Sequence, residues 1–228
     1  MSVEIDWCAP VSGDGAQLGL PVWERPPTLK YVVDIFETAR RWGFSQVLLG
    51  MGFNHHVLEA WTLGAAVLAK TEGVSAMIAV RPGFYSAPVL AKMAATLDQI
   101  SGGRLSLNVV TGGRPGEQAM YGDFLDHDAR YRRTAEFMRL CRKLWTTPQR
   151  FDHDGEFYKL RRTHLESLPL TAGGPRYYFG GASAAAEIVS AELSDVYLVW
   201  GEPLAEIAKR LAKMRWLVAQ ASRPKRFT

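Results

Sequence analysis

The chain has 228 residues, of which 47% are hydrophobic and 22% are charged, and its formal net charge is +4. This composition is that of one globular domain, and the mild, scattered positive charge argues against a nucleic-acid-binding protein. Two cysteines without a CxxC spacing, an acidic N-terminus and the lack of an apolar run of ~18 residues lead us to expect a cytoplasmic protein without signal peptide or membrane contact.

Short β-rich runs alternate along the chain with amphipathic helical patterns. The predicted strands are residues 3–9, 46–50, 74–80, 104–110, 176–180 and 195–201. Several are apolar on both faces, as expected for parallel strands covered by helices. The intervening helices are predicted from apolar residues at i, i+3, i+4 and i+7. These are Leu29, Val32, Val33 and Phe36; Leu90, Met93, Ala94 and Leu97; Phe137, Met138, Cys141 and Leu144; and Leu204, Ile207, Ala208 and Leu211.

Helix and turn signals add boundaries to this pattern. Thr28 is a plausible N-cap of the first helix, and Gly43 would end it. Residues 147–175 form an insertion before the fifth strand, in which FDHDGEFYKL contains a D-G turn between two short β-like segments. We therefore predict a β-hairpin there, with His153 as a solvated residue at its turn.

Six strand–helix units fit either an open doubly wound sheet or a (β/α)8 TIM barrel. The loop after the first strand lacks the GxGxxG order of a dinucleotide turn. Glycines and polar residues instead follow every strand, which is typical of a barrel whose site lies at the carboxyl ends of all strands. We predict an α/β fold of the barrel type, built as a single domain over residues 1–228 with about six βα units.

The end of the fourth strand is unusually free of side chains. In TLDQISGGRLSLNVVTGG the strand runs into Thr111 and Gly112, and glycine is used where the backbone turns tightly or is closely approached. In FGGASAAAEI a strand passes through two glycines into a helix that begins near Ser183. A helix start with a hydroxyl can hold a phosphate, although a glycine turn followed by a serine cap gives the same pattern.

Polar side chains near two other loops are candidate ligand contacts. In FLDHDARYRRTAEF, Asp128 is a plausible N-cap, with His127 at the start of the helix and Arg130 and Tyr131 in its first turn. In FNHHVLEAW, His55 and Glu59 are four residues apart, but the second histidine of HExxH is missing. We therefore expect no metal and interpret His55 and His56 as pocket-lining residues.

Taken together, PVSGDGAQLG, ATLDQISGGRLSLNVVTGG, FLDHDARYRRTAEF, YYFGGAS and DVYLVWGEP resemble the bacterial-luciferase-like flavin monooxygenases. The similarity runs in order from residue 3 to about 220, and it is greatest to the branch of FMNH2-dependent alkanesulfonate monooxygenases. The resemblance implies that Asn108 hydrogen-bonds the flavin ring and that Ser183 binds the phosphate. It further implies cofactor contacts by Met51, Gly52, Thr111, Gly112, Glu117, Arg130, Tyr131, Gly181 and Ala182.

The implied reaction uses FMN as FMNH2 from a separate NAD(P)H:FMN reductase, with O2 as co-substrate, to oxygenate a small organosulfur compound. An alkanesulfonate would give an aldehyde and sulfite. The resemblance does not identify a catalytic group, and the candidates are His55, His56, Arg81 and His127. Aromatic residues near the strand ends could exclude water from the site: these are Trp7, Phe84, Tyr85, Tyr121 and Trp200.

Two departures from the family pattern leave alternatives open. The sulfonate branch has a cysteine where this chain has Val57, so that the substrate would differ. Family barrels have eight βα units, and this chain has about six, consistent with a fragment, an open barrel completed by a partner, or a flavin binder without turnover. Exposed strand edges invite association, and we expect a homo-oligomer. A noncatalytic flavin-binding protein and an oxidoreductase dependent on deazaflavin (F420) are the alternative functions.

Overall fold

The computed structural model describes residues 4–14, 25–52, 58–112 and 115–221. In these residues, six parallel strands form one sheet that curls into a half-barrel, which confirms the predicted barrel-type fold. In their order across the sheet the strands are β1 (Asp6–Ala9), β2 (Gln46–Leu49), β3 (Ser75–Val80), β4 (Leu105–Val109), β7 (Arg176–Gly180) and β8 (Val196–Leu198). Each of the six lies within one of the predicted segments.

Helices connect the strands and cover the outer face of the sheet. They are α1 (Leu29–Arg41), α2 (Ala60–Leu68), α3 (Ala87–Ser101), α4 (Pro115–Met120), α5 (His127–Thr146), α6 (Ala184–Leu193) and α7 (Leu204–Gln220). Thr28 caps α1 as predicted, since its Oγ1 accepts a hydrogen bond from the Tyr31 N–H at 3.1 Å. The sequence analysis did not predict the short helix α4, which begins where a continuous loop was expected.

The two faces of the sheet differ in chemistry, as β4 illustrates. Leu105, Leu107 and Val109 are buried in the core that the helices complete. Ser106 and Asn108 alternate with them and therefore lie on the other face. Ser106 Oγ donates to Gln46 Oε1 at 2.7 Å although β2 and β4 are not neighbours, so this second face is the concave one. Tyr178 of β7 joins the same network, with its hydroxyl 2.8 Å from Gln46 Nε2.

The amino ends of the strands are held together by one arginine. Arg104 precedes β4, and its three guanidinium nitrogens donate to the carbonyl oxygens of Ser101, Val74, Leu68 and Thr71 at 2.8–2.9 Å. Every guanidinium nitrogen of this side chain therefore has a partner, and the loops before β3 and β4 are fixed to each other.

The predicted hairpin is present in the insertion. Strands β5 (Phe151–Asp154) and β6 (Lys159–Thr163) pair antiparallel around the D-G turn. The prediction for His153 was wrong, because it lies within β5 and its Nε2 is 2.9 Å from Glu136 Oε1 of α5. The hairpin is thus tied to α5 by a side chain that the sequence pattern placed in solvent.

The last helix also differs from its predicted pattern. The apolar stripe of α7 was expected to face the core, yet Leu204 is 85% exposed and the buried residues are Met214 and Val218. At the opposite edge, the side chain of Trp7 lies on the outer face of β1 and contacts the Phe44 ring at 5.4 Å. The two edges of the half-barrel therefore carry exposed apolar surface, whereas the helix-covered face of its central strands is buried.

Candidate functional site

The end of β4 forms the middle of the candidate site. Thr111 is buried, and its Oγ1 lies 3.3 Å from Thr134 Oγ1 of α5. Gly112 has a φ of +93°, and a Cβ there would lie 2.3 Å from Nε2 of Gln118. That same amide nitrogen donates to the Thr111 carbonyl oxygen at 3.4 Å. The predicted tight turn is therefore present, and α4 packs directly against it.

The loop after β3 is joined to α4 by a buried ion pair and to the end of β2 by a hydrogen bond. Arg81 Nη1 lies 2.9 Å from Glu117 Oε2, and the two side chains are only 12% and 7% exposed. Arg81 Nη2 also donates to the carbonyl oxygen of Met51 at 3.3 Å. Three of the predicted site residues are thus brought together. Because Glu117 neutralises Arg81, this arginine is better placed to join the loops than to bind an anionic substrate.

Helix α5 brings three further predicted residues to the same end of the sheet. The true N-cap is Asp126, whose Oδ1 accepts from the Ala129 N–H at 2.7 Å, so the prediction of Asp128 as the cap was wrong by two residues. Arg130 is buried and donates from Nη1 to the Leu125 carbonyl oxygen at 2.7 Å. His127 is exposed, and its ring lies 4.9 Å from that of Tyr131.

The end of β7 and the start of α6 form the predicted cradle. Ser183 is the N-cap of α6, and its Oγ accepts from the Ala186 N–H at 3.2 Å. Gly181 has a φ of +149°, and a Cβ there would lie 2.6 Å from the Ala186 Cβ and 3.4 Å from the Tyr131 hydroxyl. Tyr131 of α5 is therefore adjacent to the glycine turn, with Ala182 exposed between Gly181 and Ser183.

Asn108 lies on the concave face, one residue before the end of β4. It is half-buried, in register with Ala79 of β3 and Tyr178 of β7. Among the described residues its amide has no hydrogen-bond partner, so it is available to a ligand above the sheet. Its contact with a flavin ring stays a prediction.

The predicted aromatic wall is only partly assembled. Phe84 stacks on Tyr121 with ring centroids 3.7 Å apart, and the Tyr85 hydroxyl donates to Glu59 Oε1 at 3.2 Å. Burial raises the pKa of Tyr85, and so does the neighbouring Glu59 carboxylate. Trp200, by contrast, is 86% exposed, and Trp7 faces away from the concave side. Tyr85 therefore stays protonated at neutral pH, and the wall is restricted to the loops after β3 and α4.

Two of the predicted pocket residues lie outside the described part of the chain. His55 and His56 lie in residues 53–57, which the structure does not describe, and Gly52 is half-buried at the edge of that segment. Within the described residues, no cluster of three or more His, Cys, Asp or Glu side chains is suited to a metal ion. The helices there are each too short or too polar to cross a membrane.

Three residues contribute to the site without having been singled out from the sequence. Gln118 contacts Gly112, Thr134 contacts Thr111, and the Tyr197 hydroxyl donates to the Gly181 carbonyl oxygen at 2.7 Å. Gln118 follows the predicted Glu117 and could have been inferred from it once a helix was recognised there. Thr134 and Tyr197 carry no local signal, since each depends on a contact between distant segments.

Comparison with known proteins places this geometry in a family. Residues 3–228 match the model of the luciferase-like monooxygenases. The structure resembles EDTA monooxygenase from Chelativorans sp. BNC1, with a TM-score of 0.83 and 18% identity, over 95% of this chain and 58% of that one. It also resembles riboflavin lyase with modified FMN and riboflavin, with a TM-score of 0.84 and 20% identity, over 100% and 62%.

A third similar structure is an F420-dependent secondary alcohol dehydrogenase in complex with an F420–acetone adduct, with a TM-score of 0.81 and 18% identity over 100% of this chain and 68% of that one. At these identities the likeness shows the fold. The chain spans less than two thirds of the length of the EDTA monooxygenase and of the riboflavin lyase. Since the family model matches nearly every residue, the chain belongs to the luciferase-like monooxygenase family.

Proposed function

We propose that this chain binds FMN at the carboxyl ends of its strands and serves a two-component flavin monooxygenase. The observation that carries the proposal is the cradle at the start of α6, where Ser183, Gly181 and the Tyr131 hydroxyl lie together. Ser183 caps the Ala186 N–H of this ten-residue helix, and the N–H groups of Ala184 and Ala185 lie in the same first turn, where backbone N–H groups favour a phosphate.

The residues present fit a flavin mononucleotide in space. The glycines at positions 112 and 181 keep the strand ends free of side chains, and an added Cβ at either would collide with Gln118 or Ala186. Asn108 offers an unpaired amide on the concave face between these two turns. A planar ring over β4 and a phosphate at α6 would thus meet backbone and small side chains.

They also fit in charge and hydrogen bonding. The Nε atoms of Arg81 and Arg130 and the Oε1 atom of Gln118 are buried and have no hydrogen-bond partner within the described part of the chain. Because an unsatisfied buried polar group costs about 1–3 kcal/mol, such groups call for a specific explanation. A ligand with phosphate, carbonyl and N–H groups would supply partners at this rim, and Arg130 precedes the cradle residue Tyr131 in α5.

In this arrangement the residues of the chain bind, orient and exclude water. Ser183 and the α6 amide groups would hold the phosphate, Asn108 would fix the ring, and the Phe84–Tyr121 stack would limit solvent at one side. FMNH2, when bound, supplies the electrons that activate O2. Such chemistry requires a cofactor held in a fixed position, and the glycine turns and the Arg81–Glu117 pair would fix the loops that surround it.

For the substrate we propose a small organosulfur compound such as an alkanesulfonate, which would give an aldehyde and sulfite. Support for this class comes from the sequence motifs alone. The proteins of similar structure are described as acting on EDTA, riboflavin and a secondary alcohol, so the shared fold accepts varied substrates. The proposed partner is an NAD(P)H:FMN reductase that supplies the reduced cofactor.

The alternative cofactor is F420, because an F420-dependent dehydrogenase and an F420-dependent reductase share the fold at TM-scores of 0.81 and 0.78. Parallel titrations with FMN and F420, followed by cofactor fluorescence, distinguish the two. We expect FMN to bind more tightly. Tighter binding of F420, or reduction of F420 by an alcohol, would favour the alternative.

Turnover is tested by mixing the chain with a flavin reductase, NADH, FMN, O2 and a panel of alkanesulfonates. Sulfite release that depends on both the chain and the reductase is the expected result. FMN binding without sulfite or aldehyde from any member of the panel would count against the proposed substrate. That result would favour the alternative function of a noncatalytic flavin-binding protein.

A further inference from the structure

The carbonyl oxygen of Gly181 accepts a hydrogen bond from a side chain that lies outside the proposed phosphate site. Tyr197 lies in the middle of β8, and its hydroxyl donates to this oxygen at 2.7 Å, a short hydrogen bond. Its partner in register across the sheet is Phe179, which is fully buried against the helices. The Tyr197 ring therefore lies on the outer face of the sheet and does not enter the ligand side.

This bond fixes the direction of an N–H group. A trans peptide is planar, and its C=O and N–H point in nearly opposite directions. The carbonyl of Gly181 and the N–H of Ala182 belong to the same peptide, so the oxygen that turns toward Tyr197 turns the Ala182 N–H away from it. That N–H is at the start of α6, beside Ser183, where the phosphate is proposed to bind.

Glycine makes this peptide easy to rotate, which is why it needs to be held. Gly181 has a φ of +149°, a conformation that side chains disfavour, and no Cβ restrains it. Without a hydrogen-bond partner for the carbonyl oxygen, rotation about ψ of Gly181 and φ of Ala182 would reorient the peptide. The hydrogen bond from Tyr197 restricts this rotation.

Tyr197 is itself kept in the donating form and in place. Burial raises the pKa of its phenol, so that the hydroxyl stays protonated through neutral pH, even though Arg210 lies beside it and opposes the shift. Arg210 pairs with Glu202 at 2.9 Å and with Glu187 at 3.0 Å, and Glu187 is a buried residue in the first turn of α6. The Tyr197 ring also packs against Ala191 and Met214.

We propose that Tyr197 is a positioning residue of the phosphate site: it acts through the Gly181–Ala182 peptide and touches neither ring nor phosphate. The inference rests on the proposed function, because it assigns a role within the FMN cradle. It predicts that the Tyr197 hydroxyl contributes to affinity for the phosphate and leaves affinity for the ring unchanged.

The test compares FMN with riboflavin, which has the same ring and ribityl chain but no phosphate. Dissociation constants for both are measured by flavin fluorescence with the wild type and with Tyr197→Phe, which removes one oxygen and keeps the ring packing. We expect FMN binding to weaken about fivefold to tenfold, the loss of one hydrogen bond, while riboflavin binding stays within about twofold.

A matched control is Tyr177→Phe. The Tyr177 hydroxyl likewise donates to a backbone carbonyl, that of Met138 at 3.3 Å, but it does so in the core beneath α5. The control is expected to lower the melting temperature without changing the ratio of the FMN and riboflavin constants. This separates a positioning role from a general loss of stability, which Tyr197→Phe could also cause.

Two results would overturn the inference while leaving FMN binding intact: an unchanged ratio in Tyr197→Phe, or an equal loss of affinity for both ligands. A different result would overturn the proposed function itself, namely a wild type that binds neither flavin. A wild type that binds both equally would overturn the phosphate cradle and, with it, the role of Tyr197.

Discussion

The two ends of the parallel sheet use arginine in opposite ways. At the amino ends, Arg104 donates from each of its guanidinium nitrogens to carbonyl oxygens of four residues. At the carboxyl ends, Arg81 and Arg130 each retain a buried Nε that has no hydrogen-bond partner among the described residues. Arg142, near the amino end of β7, has such an Nε as well, so the contrast is between Arg104 and these two arginines and not between all groups of the two ends.

This difference separates stability from function within one sheet. Barrel folds place stabilising contacts at the amino ends of the strands and ligands at the carboxyl ends. Unsatisfied buried groups weaken a folded protein, and the proposed ligand would complete those of Arg81 and Arg130 at the carboxyl ends. This comparison can be tested by substitutions that affect one end of the sheet and leave the other unchanged.

The largest effect is expected from Arg104→Met, because it leaves several buried carbonyl oxygens without a donor. We expect the free energy of unfolding to fall by about 3 kcal/mol or more. Urea denaturation followed by circular dichroism measures this loss. Flavin affinity at low temperature, where the variant is still folded, is expected to match the wild type. A variant as stable as the wild type would show that the Arg104 hydrogen bonds do not stabilise the fold.

Gly112→Ala comes next, and Gly43→Ala is its matched control at the amino end. Both glycines have positive φ, of +93° and +77°, but only at position 112 would a Cβ meet another side chain, that of Gln118. We expect the control to cost about 1 kcal/mol from backbone strain, and Gly112→Ala about 2–3 kcal/mol from strain plus collision.

Thermal unfolding measures both glycine variants, and FMN titration then separates the two ends. Only Gly112→Ala is expected to weaken cofactor binding. Equal melting temperatures for the two variants would show that the Gly112 turn is not tightly packed. Equal FMN affinities would show that the turn does not border the ring.

Arg130→Met should reverse the pattern of Arg104→Met. Among the described residues its guanidinium makes one hydrogen bond, to Leu125, so we expect the unfolding free energy to fall by only about 1 kcal/mol. FMN affinity is expected to fall about tenfold with the loss of a charged donor. Paired denaturation and fluorescence titrations check both numbers. A large loss of stability with unchanged FMN affinity would show that Arg130 stabilises the fold and does not bind the cofactor.

The smallest effect concerns pH and Glu59, the N-cap of α2. Burial alone would raise its pKa, but hydrogen bonds from the Trp61 and Thr62 N–H groups outweigh burial, and the pKa lies below its ordinary value of 4.5. A lowered pKa in the folded state means that the carboxylate stabilises the fold above the unfolded value. This contribution is lost as the pH falls through the folded value.

Glu59→Gln keeps an acceptor but removes the charge. Relative to the wild type we expect it to be about 0.5 kcal/mol less stable at neutral pH, with the gap closing below about pH 4. Melting temperatures of both proteins across that pH range measure the gap. A gap that is the same at every pH would show that the charge of Glu59 is not what stabilises α2.

The sequence predicted most of the architecture because the fold rests on local patterns. Each of the six strands of the parallel sheet lies within a predicted run of β-forming residues, and the Thr28 and Ser183 caps follow from residue type and position. The N-cap of α5 is Asp126 and not Asp128 because two aspartates compete in FLDHDA, and spacing alone cannot rank them. The exposed stripe of α7 shows the same limit, since periodicity gives a face but not its partner.

The candidate site was harder to predict, because its contacts join distant segments. The glycine turns at positions 112 and 181 follow from the local sequence, and both have the positive φ that glycine permits. The pairing of Arg81 with Glu117, and of Tyr197 with Gly181, depends on how the loops of different units meet. No spacing rule encodes such contacts, and this is also why the sequence indicated Arg81 only as one of several candidate catalytic groups.

The most direct test of the account is a crystal structure of the chain soaked with FMN. The account predicts the flavin ring over Asn108 and the Thr111–Gly112 turn, with the phosphate at the N–H groups of Ala182 and the first turn of α6. Density for FMN elsewhere, or an ordered carboxyl end of the sheet that its own side chains fill, would contradict it.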